Sequence, residues 1–243
     1  MAVAVALSAQ EPLPDWVPQL SRVKHHLRAN FERIPNYVCQ EAVERFQTTG
    51  RHPREKLDTL RFDVAHVEGK ELLAPAGASR FEDVDPAVYN PAGMLGTGTF
   101  SSLPTTLFVS DKARAKPRKA PVGKLAFNYQ VPEFLSGFRV TSAAGSAIVG
   151  HRGTFWVDAE TLDLLRIEDH AVDVPLRIGI GAVDSTVDYG RMRIGSSNVL
   201  LPQSASLVVT RLTGTEMRNE IKYSGCREYG SESTVRFGNT VDE

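Results

Sequence analysis

The chain has 243 residues, with 28 lysines and arginines against 29 aspartates and glutamates. The net charge of −1 argues against broad nucleic-acid binding, because neutralising phosphates takes an excess of basic residues. No apolar run reaches the length of a membrane-spanning helix, and the length suits one large all-β domain.

The first nine residues, MAVAVALSA, resemble the end of a secretory signal peptide. Ala9 suits the position before a cleavage site, although a basic start is missing and the apolar stretch is short. We interpret residues 1–9 as a truncated signal peptide, with a merely flexible tail as the alternative. The sequence therefore predicts export to the periplasm or beyond.

Two cysteines, Cys39 and Cys226, are present. In an exported protein a low, even number of cysteines favours a disulfide, here between the first strand and one of the last. So long a closed loop would contribute about 4–5 kcal/mol in the chain-entropy model. Two unrelated buried thiols are the alternative. A zinc site is not expected, because no Cys-x-x-Cys or paired Cys/His spacing occurs.

An amphipathic helix is predicted over residues 18–31, where apolar residues recur at three- and four-residue spacing. Pro18 fits its first turn and Pro35 ends the pattern. Three strands are expected next, at residues 37–48, 60–64 and 71–75. The helix would bury its apolar stripe on the sheet that these strands begin.

Residues 76–123 contain five prolines and five glycines and show no clear periodicity. A segment of that kind is usually functional or disordered. We expect a short helix near residues 101–108 and, from the apolar content, packing on the sheet as a lid or plug. The glycines at 93–98 do not form a phosphate-binding loop, because no Lys-Ser/Thr pair follows them.

From residue 153 to residue 227 the chain alternates apolar and polar residues in strand-length runs with short joints. Val183, Val187 and Tyr189, for example, share one predicted face. This pattern indicates an antiparallel meander with one buried face. The apolar positions change parity after Gly190, which predicts a β-bulge and a curled sheet.

Parts of this stretch resemble the LolA/LolB-type lipoprotein carriers. FWVDAETLDLLRI at 155–167 looks like their strand–Asp-turn–strand unit, and DYGRMRI at 188–194 with VLLPQS at 199–204 looks like their later strand pair. The resemblance covers the second half and the N-terminal helix, and it extends to uncharacterised exported bacterial proteins.

The resemblance implies a mainly β (α+β) fold. A strongly curved antiparallel sheet would form an incomplete β-barrel, and the N-terminal helix with a helical or loop segment would cover its concave face. It also implies that this apolar face holds acyl chains. We expect a single domain over residues 10–238, with 76–123 as its insertion or lid and 239–243 as a flexible tail.

Candidate ligand-binding residues are the apolar side chains of the predicted inner face and of the gate near residues 93–108. They are Leu60, Phe62, Met94, Leu95, Phe100, Leu107, Phe127, Tyr129, Phe155, Ile167, Tyr189 and Ile221. The alternative is an ordinary core, covered by the helix and by residues 76–123.

Five cations lie within eight residues: Lys112, Arg114, Lys116, Arg118 and Lys119. Such a group would suit anionic lipid headgroups or an anionic membrane surface, whereas the alternative is a solvated loop.

The other polar residues do not indicate a catalytic or metal-binding site. His25 and His26 point to different faces of the helix, and the spacing of His151, Asp158 and His170 matches no metal-ligand pattern. The carboxylates at 184, 188, 216 and 220 fall on polar strand faces, where they are expected to form solvated ion pairs. We expect no catalytic residues, no metal and no cofactor.

The sequence thus predicts an exported, non-enzymatic protein that binds a lipid, a lipoprotein acyl chain or another apolar ligand. The alternative is a cell-envelope interaction module with a filled core and a protein partner. An envelope hydrolase ranks last, because it would need convergent buried histidine and carboxylate groups.

Overall fold

The computed structural model describes residues 13–68, 70–78, 80–81 and 102–229. The predicted signal peptide at residues 1–9, the glycines at 93–98 and the tail at 239–243 lie outside the described residues. In the part that is described, no helix is both long enough and apolar enough to cross a membrane.

Helix α1 spans Trp16–Phe31, and strands make up most of the remaining described chain. A helical turn at Ser102–Pro104 continues as a π-helical segment at Thr105–Val109, and we call residues 102–109 the covering segment. The strands are β1 Tyr37–Thr49, β2 Glu55–Val67, β3 Lys70–Pro75, β4 Arg114–Arg118, β5 Lys124–Val131, β6 Arg139–Ser142, β7 Gly145–Ile148, β8 Gly150–Asp158, β9 Leu164–Val172, β10 Ile180–Ile194, β11 Ser197–Arg211 and β12 Thr215–Glu228.

Ten strands form one antiparallel sheet in the order β3-β2-β1-β12-β11-β10-β9-β8-β5-β4. Strands β6 and β7 form a separate hairpin. Most sheet neighbours follow one another along the chain, but β1 pairs with β12 and so brings the two ends of the described chain together. In the described part of the chain the sheet is not closed into a barrel, and β3 and β4 are its two edges. The predicted mainly β fold with one N-terminal helix is confirmed.

One face of the sheet, which we call the inner face, packs against α1 and the covering segment. Leu20, Val23 and Leu27 form the buried stripe of α1, as the helical spacing predicted. They join Leu107, Phe108 and the apolar inner-face residues of β1, β2, β5 and β8–β12 in one cluster, the main core. The other face of the sheet is the outer face.

The basic run at residues 112–119 lies in the predicted insertion or lid at 76–123, and part of it forms a strand that the sequence analysis did not predict. Arg114–Arg118 is β4, which pairs with β5 at the edge of the sheet. An edge strand tolerates Pro117, since its missing N–H costs no ladder hydrogen bond on the solvent side. Cations on an edge strand also oppose pairing with another chain.

A change of register occurs near Gly190, as the parity change predicted, but the extra residue lies on the neighbouring strand. Asp188 pairs with Ser204 and Tyr189 with Pro202, which leaves Gln203 of β11 as the bulged residue. The even-numbered apolar residues that follow belong to a second, smaller cluster with Tyr37 and Val199.

Of the two alternatives for the cysteines, the structure has the disulfide: Cys39 of β1 is bonded to Cys226 of β12. The two residues are 187 positions apart in sequence and lie on neighbouring strands. The bond therefore fastens together the first and the last strand of the described chain.

Reducing this disulfide should destabilise the protein by about 2–5 kcal/mol, because the unfolded chain regains the freedom of a very long loop. Urea unfolding with and without reductant measures the effect. A Cys39→Ser/Cys226→Ser double variant should show the same loss without reductant and no further response to it. Equal midpoints for oxidised and reduced wild type would contradict the expectation.

Candidate ligand-binding site

A column of aromatic rings connects the sheet to α1 and the covering segment, which together we call the covering layer. Phe127 of β5 stacks on Phe155 of β8, with ring centroids 5.2 Å apart. Phe108 of the covering segment meets Phe155 edge-on at 5.1 Å and stacks on Phe31 of α1 at 6.0 Å. Phe31 in turn contacts the ring of Tyr189 edge-on at 6.3 Å. The centre of the inner face is therefore aromatic and fully covered.

All the predicted ligand-binding residues that are described come together here. Leu60 is partly buried against the main core, and eight others belong to it: Phe62, Leu107, Phe127, Tyr129, Phe155, Ile167, Tyr189 and Ile221. Met94, Leu95 and Phe100 lie outside the described residues. The alternation of apolar residues thus identified one continuous surface, whose use for binding remains a prediction.

Polar contacts fasten the covering layer at its margins. Lys24 of α1 pairs with Asp111 at 2.5 Å, and Arg28 donates to the backbone oxygen of Phe108 at 3.1 Å. On the other side of α1, His26 lies 3.0 Å from Asp163 in the turn between β8 and β9. These bonds tie α1 both to the covering segment and to the sheet.

Asp163 connects α1 with β10, because Arg191 of β10 also donates two hydrogen bonds to it, at 2.5 and 2.8 Å. Burial acts to raise the pKa of Asp163, but the hydrogen bonds from Arg191 and His26 outweigh it and hold the pKa below its usual value. Asp163 therefore stays ionised and holds α1 over the rim of the sheet.

The inner face also contains a buried acid. Glu41 of β1 is only 8% exposed and lies directly opposite Phe62 of β2 and Tyr223 of β12, both members of the main core. Burial, and then repulsion from the carboxylate of Glu71, raises the pKa of Glu41 from 4.5 to about 8. Glu41 is therefore largely protonated at neutral pH.

Further polar side chains surround this acid. His66 of β2 lies opposite Glu71 of β3 and opposite Tyr37 of β1, whose ring stacks on it at 5.3 Å. Burial lowers the pKa of His66, so the imidazole supplies no positive charge at neutral pH. Burial raises the pKa of Tyr189, and so do the nearby Tyr37 and Glu71. We call Tyr37, Glu41, His66, Glu71, Tyr189 and Tyr223 the acidic cluster.

A second buried polar group lies at the opposite side of the inner face. Asp169 accepts a hydrogen bond from the hydroxyl of Tyr129 at 2.5 Å and lies 2.7 Å from Nδ1 of His151. Burial, and then the Asp169 carboxylate, raises the pKa of Tyr129 well above its usual value. In the described chain the hydrogen bonds of His151 reach Asp169 alone, and no serine or cysteine nucleophile joins them. This group ties β5, β8 and β9 together.

The outer face has a polar cleft of about 570 Å³ along β5, β8, β9 and β10. Outer-face residues that line it include Asn128, Thr154, Glu168 and Thr186, and the buried Tyr129 and Asp169 also reach it. At one end, His170 pairs with Asp184 at 2.6 Å. Most of the residues that line this cleft are polar or charged, whereas the residues of the main core are apolar, so the inner face suits an apolar ligand better.

The structure does not bring together the histidines and the aspartate considered as metal ligands. Asp158 accepts hydrogen bonds from the backbone of Glu160 and Thr161, whereas His151 and His170 each have a different carboxylate partner. In the residues that the structure describes, no group of three His, Cys, Asp or Glu could hold a metal. Asp188 pairs with Arg166 on the outer face, as expected of a solvated carboxylate.

The predicted headgroup cations are exposed, and three of them point away from the main core. Arg114, Lys116 and Arg118 alternate with Ala115 and Pro117, and their partners on β5 are Gln130, Asn128 and Ala126. Arg118 also donates to Thr154 of the outer face at 3.0 Å. The cations of β4 therefore lie on the exposed side of the edge strand, away from the inner face, and their use for an anionic surface stays a prediction.

Replacing Asp169 with alanine should destabilise the protein by about 2–5 kcal/mol, since it leaves His151 buried without its carboxylate and leaves the Tyr129 hydroxyl with the long, 3.4 Å bond to the backbone oxygen of Glu168. Tyr129→Phe should cost about 1–2 kcal/mol, because Asp169 keeps His151. Asp184→Ala breaks an exposed pair and should cost below about 1 kcal/mol. Denaturant unfolding ranks the three, and an Asp169→Ala loss no larger than that of Asp184→Ala would contradict the assignment.

Glu41 should make stability depend on pH. The folded protein holds a proton on Glu41 up to about pH 8, whereas the unfolded chain releases it near 4.5. The contribution of Glu41 is therefore most favourable below pH 4.5 and is lost as pH rises towards 8. Relative to Glu41→Gln, the wild type should lose on the order of a few kcal/mol between pH 5 and pH 9. A difference that stays constant over this range would refute the burial of the charge.

No protein-family model matches the chain, and no curated protein matches it either. Two solved structures are similar. One is a LolA superfamily protein, NE2245 from Nitrosomonas europaea, with a TM-score of 0.38 and 10% identity over 86% of this chain and 93% of that chain. The other is a DUF1329 family protein from Desulfovibrio piger, with a TM-score of 0.46 and 13% identity over 90% of this chain and 95% of that chain. The first belongs to the superfamily that the strand and hairpin motifs resemble, and neither likeness carries an argument about function.

Proposed function

We propose that this protein binds a lipid or another apolar ligand between the inner face of its sheet and the layer formed by α1 and the covering segment. Catalysis is not part of the proposal. The observation that carries it is the extent of the inner face: a single aromatic-rich core runs across strands from β2 to β10 and on to β5.

The covering layer is small for such a sheet. α1 has 16 residues, so it is about 24 Å long. Ten strands at their usual spacing extend for about 43 Å. The covering segment adds only two short helical turns, and it touches the sheet mainly through Leu103, Leu107 and Phe108. Few side chains would have to move for a ligand to reach the inner face.

The covering segment and an alkyl ligand would gain similar hydrophobic free energies from burial on the inner face. Burying three side chains of this size is worth about 5–9 kcal/mol in total. An alkyl chain of a dozen carbons, at about 0.8 kcal/mol per methylene, gains about 9 kcal/mol. A ligand can therefore take the place of the covering segment on the inner face at little net cost, while the polar contacts of α1 keep the layer attached.

We propose an oxidising compartment, the periplasm or another exported location, for this activity. The bond between Cys39 and Cys226 supports this placement, because disulfides persist outside the reducing cytosol. The predicted signal peptide agrees with it.

The second candidate is a cell-envelope interaction module with a filled core. The observation that favours it is the closure of the main core, since Phe108, Phe127 and Phe155 are each at most 1% exposed. A partner protein would then bind elsewhere on the surface, and the inner face would serve stability alone.

Native mass spectrometry of the oxidised full chain with palmitate decides between the two. A ligand-binding protein should show added mass at micromolar palmitate and a raised melting temperature. Phe108→Ala should lower stability by about 3–5 kcal/mol and gain more from palmitate than the wild type does, because the ligand fills the space of the lost ring.

Phe134→Ala is the matched control, because this phenylalanine is 83% exposed and lies outside the main core. It should alter neither stability nor palmitate uptake. If neither the wild type nor Phe108→Ala takes up palmitate, the ligand-binding proposal fails and the interaction module replaces it.

A further inference from the structure

The acidic cluster sets one end of the inner face apart from the aromatic centre. Glu41 shares this face with Phe62 and Tyr223, its direct neighbours across β2 and β12. A carboxyl group more than nine-tenths buried normally has a hydrogen-bond or ion-pair partner, since burying it alone is costly. Among the described residues, Glu41 has neither: burial and repulsion from Glu71 act on its carboxyl group, and no hydrogen bond is among these influences.

Among the residues that the structure describes, none brings a positive charge to bear on Glu41. The charged group that acts on it is another carboxylate, Glu71, and no described lysine or arginine does so. The nearest basic side chain of the cluster is His66, which burial keeps neutral. Of the basic groups of α1, Lys24 pairs with Asp111 and Arg28 donates to the backbone oxygen of Phe108. Glu41, a buried acid on an apolar face, therefore forms a site that would attract a cation.

The cation is better supplied by an organic amine than by a metal. In the part of the chain that the structure describes, no three His, Cys, Asp or Glu side chains are arranged to hold a metal ion. The apolar residues around Glu41 favour instead a ligand whose charged nitrogen is attached to an alkyl chain. One carboxylate can accept a strong, charge-assisted hydrogen bond from such a nitrogen.

We propose that the ligand of this protein carries a protonated primary amine, and that Glu41 pairs with this ammonium group while the alkyl chain lies along the aromatic inner face. This inference rests on the proposed apolar binding site and specifies its ligand. On binding at neutral pH, the Glu41 carboxyl releases its proton to solvent and the resulting carboxylate accepts a hydrogen bond from the ammonium nitrogen.

Three ligands with the same twelve-carbon chain test the inference: dodecylamine, dodecanol and laurate. In isothermal titration calorimetry below their micelle concentrations, dodecylamine should bind the wild type about ten- to a hundredfold more tightly than dodecanol, since a charge-assisted hydrogen bond is worth about 1.5–3 kcal/mol. Laurate should bind more weakly than dodecylamine, because its carboxylate cannot pair with the carboxylate of Glu41.

Glu41→Gln should bind dodecylamine and dodecanol equally. The matched control is Glu44→Gln, three residues along the same strand, where the carboxylate pairs with Lys56 and has its side chain 40% exposed. Glu44→Gln should keep the preference of the wild type.

Proton release gives a readout that does not depend on a variant. Titrations at pH 7 in buffers of different ionisation enthalpy should show about one proton released per dodecylamine, and almost none at pH 9.5, where Glu41 is already ionised. The twelve-carbon lysophosphatidylethanolamine presents the same ammonium from a headgroup. Its binding would assign a lipid as the source, whereas binding of dodecylamine alone would assign a free amine.

The outcomes separate the two proposals. If none of the twelve-carbon ligands binds, the apolar site fails and this inference fails with it. If they bind with equal affinity to the wild type and to Glu41→Gln, and no proton is released, the apolar site stands and the role of Glu41 is overturned.

Discussion

The pairing of β1 with β12 is the interaction on which the rest of the structure depends. It joins strands from the two ends of the described chain through a ladder from Tyr37 to Thr49, and the bond between Cys39 and Cys226 secures one end of it. Without this pairing, β1 to β3 would be a separate three-stranded sheet. With it, Glu41 lies against Tyr223, and the acidic cluster becomes part of the same inner face as the aromatic core.

Strand alternation predicted most of this fold, because it depends only on neighbouring residues. The same alternation also contained a signal that was overlooked. Glu41 has the parity of Val43, His151 that of Phe155, and Asp169 that of Ile167, so all three polar residues fall on the buried face. A charged residue at an inward position marks a buried site, whereas paired carboxylates on the polar face, such as Asp184 and Asp188, do not.

The register of the strands could not be predicted from the sequence, because register determines which residues far apart in the chain come together. Tyr129 and Asp169 are 40 residues apart in sequence, and they meet only because β5, β8 and β9 align Tyr129 with Gly153 and Gly153 with Asp169. Gly153 is part of this arrangement, because a Cβ there would lie 1.8 Å from the backbone oxygen of Glu168. No local pattern predicts so close an approach, nor the edge strand formed by the basic residues of β4.

The two buried acids on the inner face, Asp169 and Glu41, have opposite effects on the stability of the folded protein. Asp169 is satisfied by Tyr129 and His151, so it stabilises one fixed arrangement of strands. Glu41 has no such partners among the described residues, and ionising it in its buried position near Glu71 costs stability. When a ligand relieves an interaction that destabilises the free protein, the free energy recovered contributes to the affinity of that ligand. Stability and binding are therefore linked through one carboxyl group, and any substitution that relieves Glu41 in the free protein should weaken its hold on a cationic ligand.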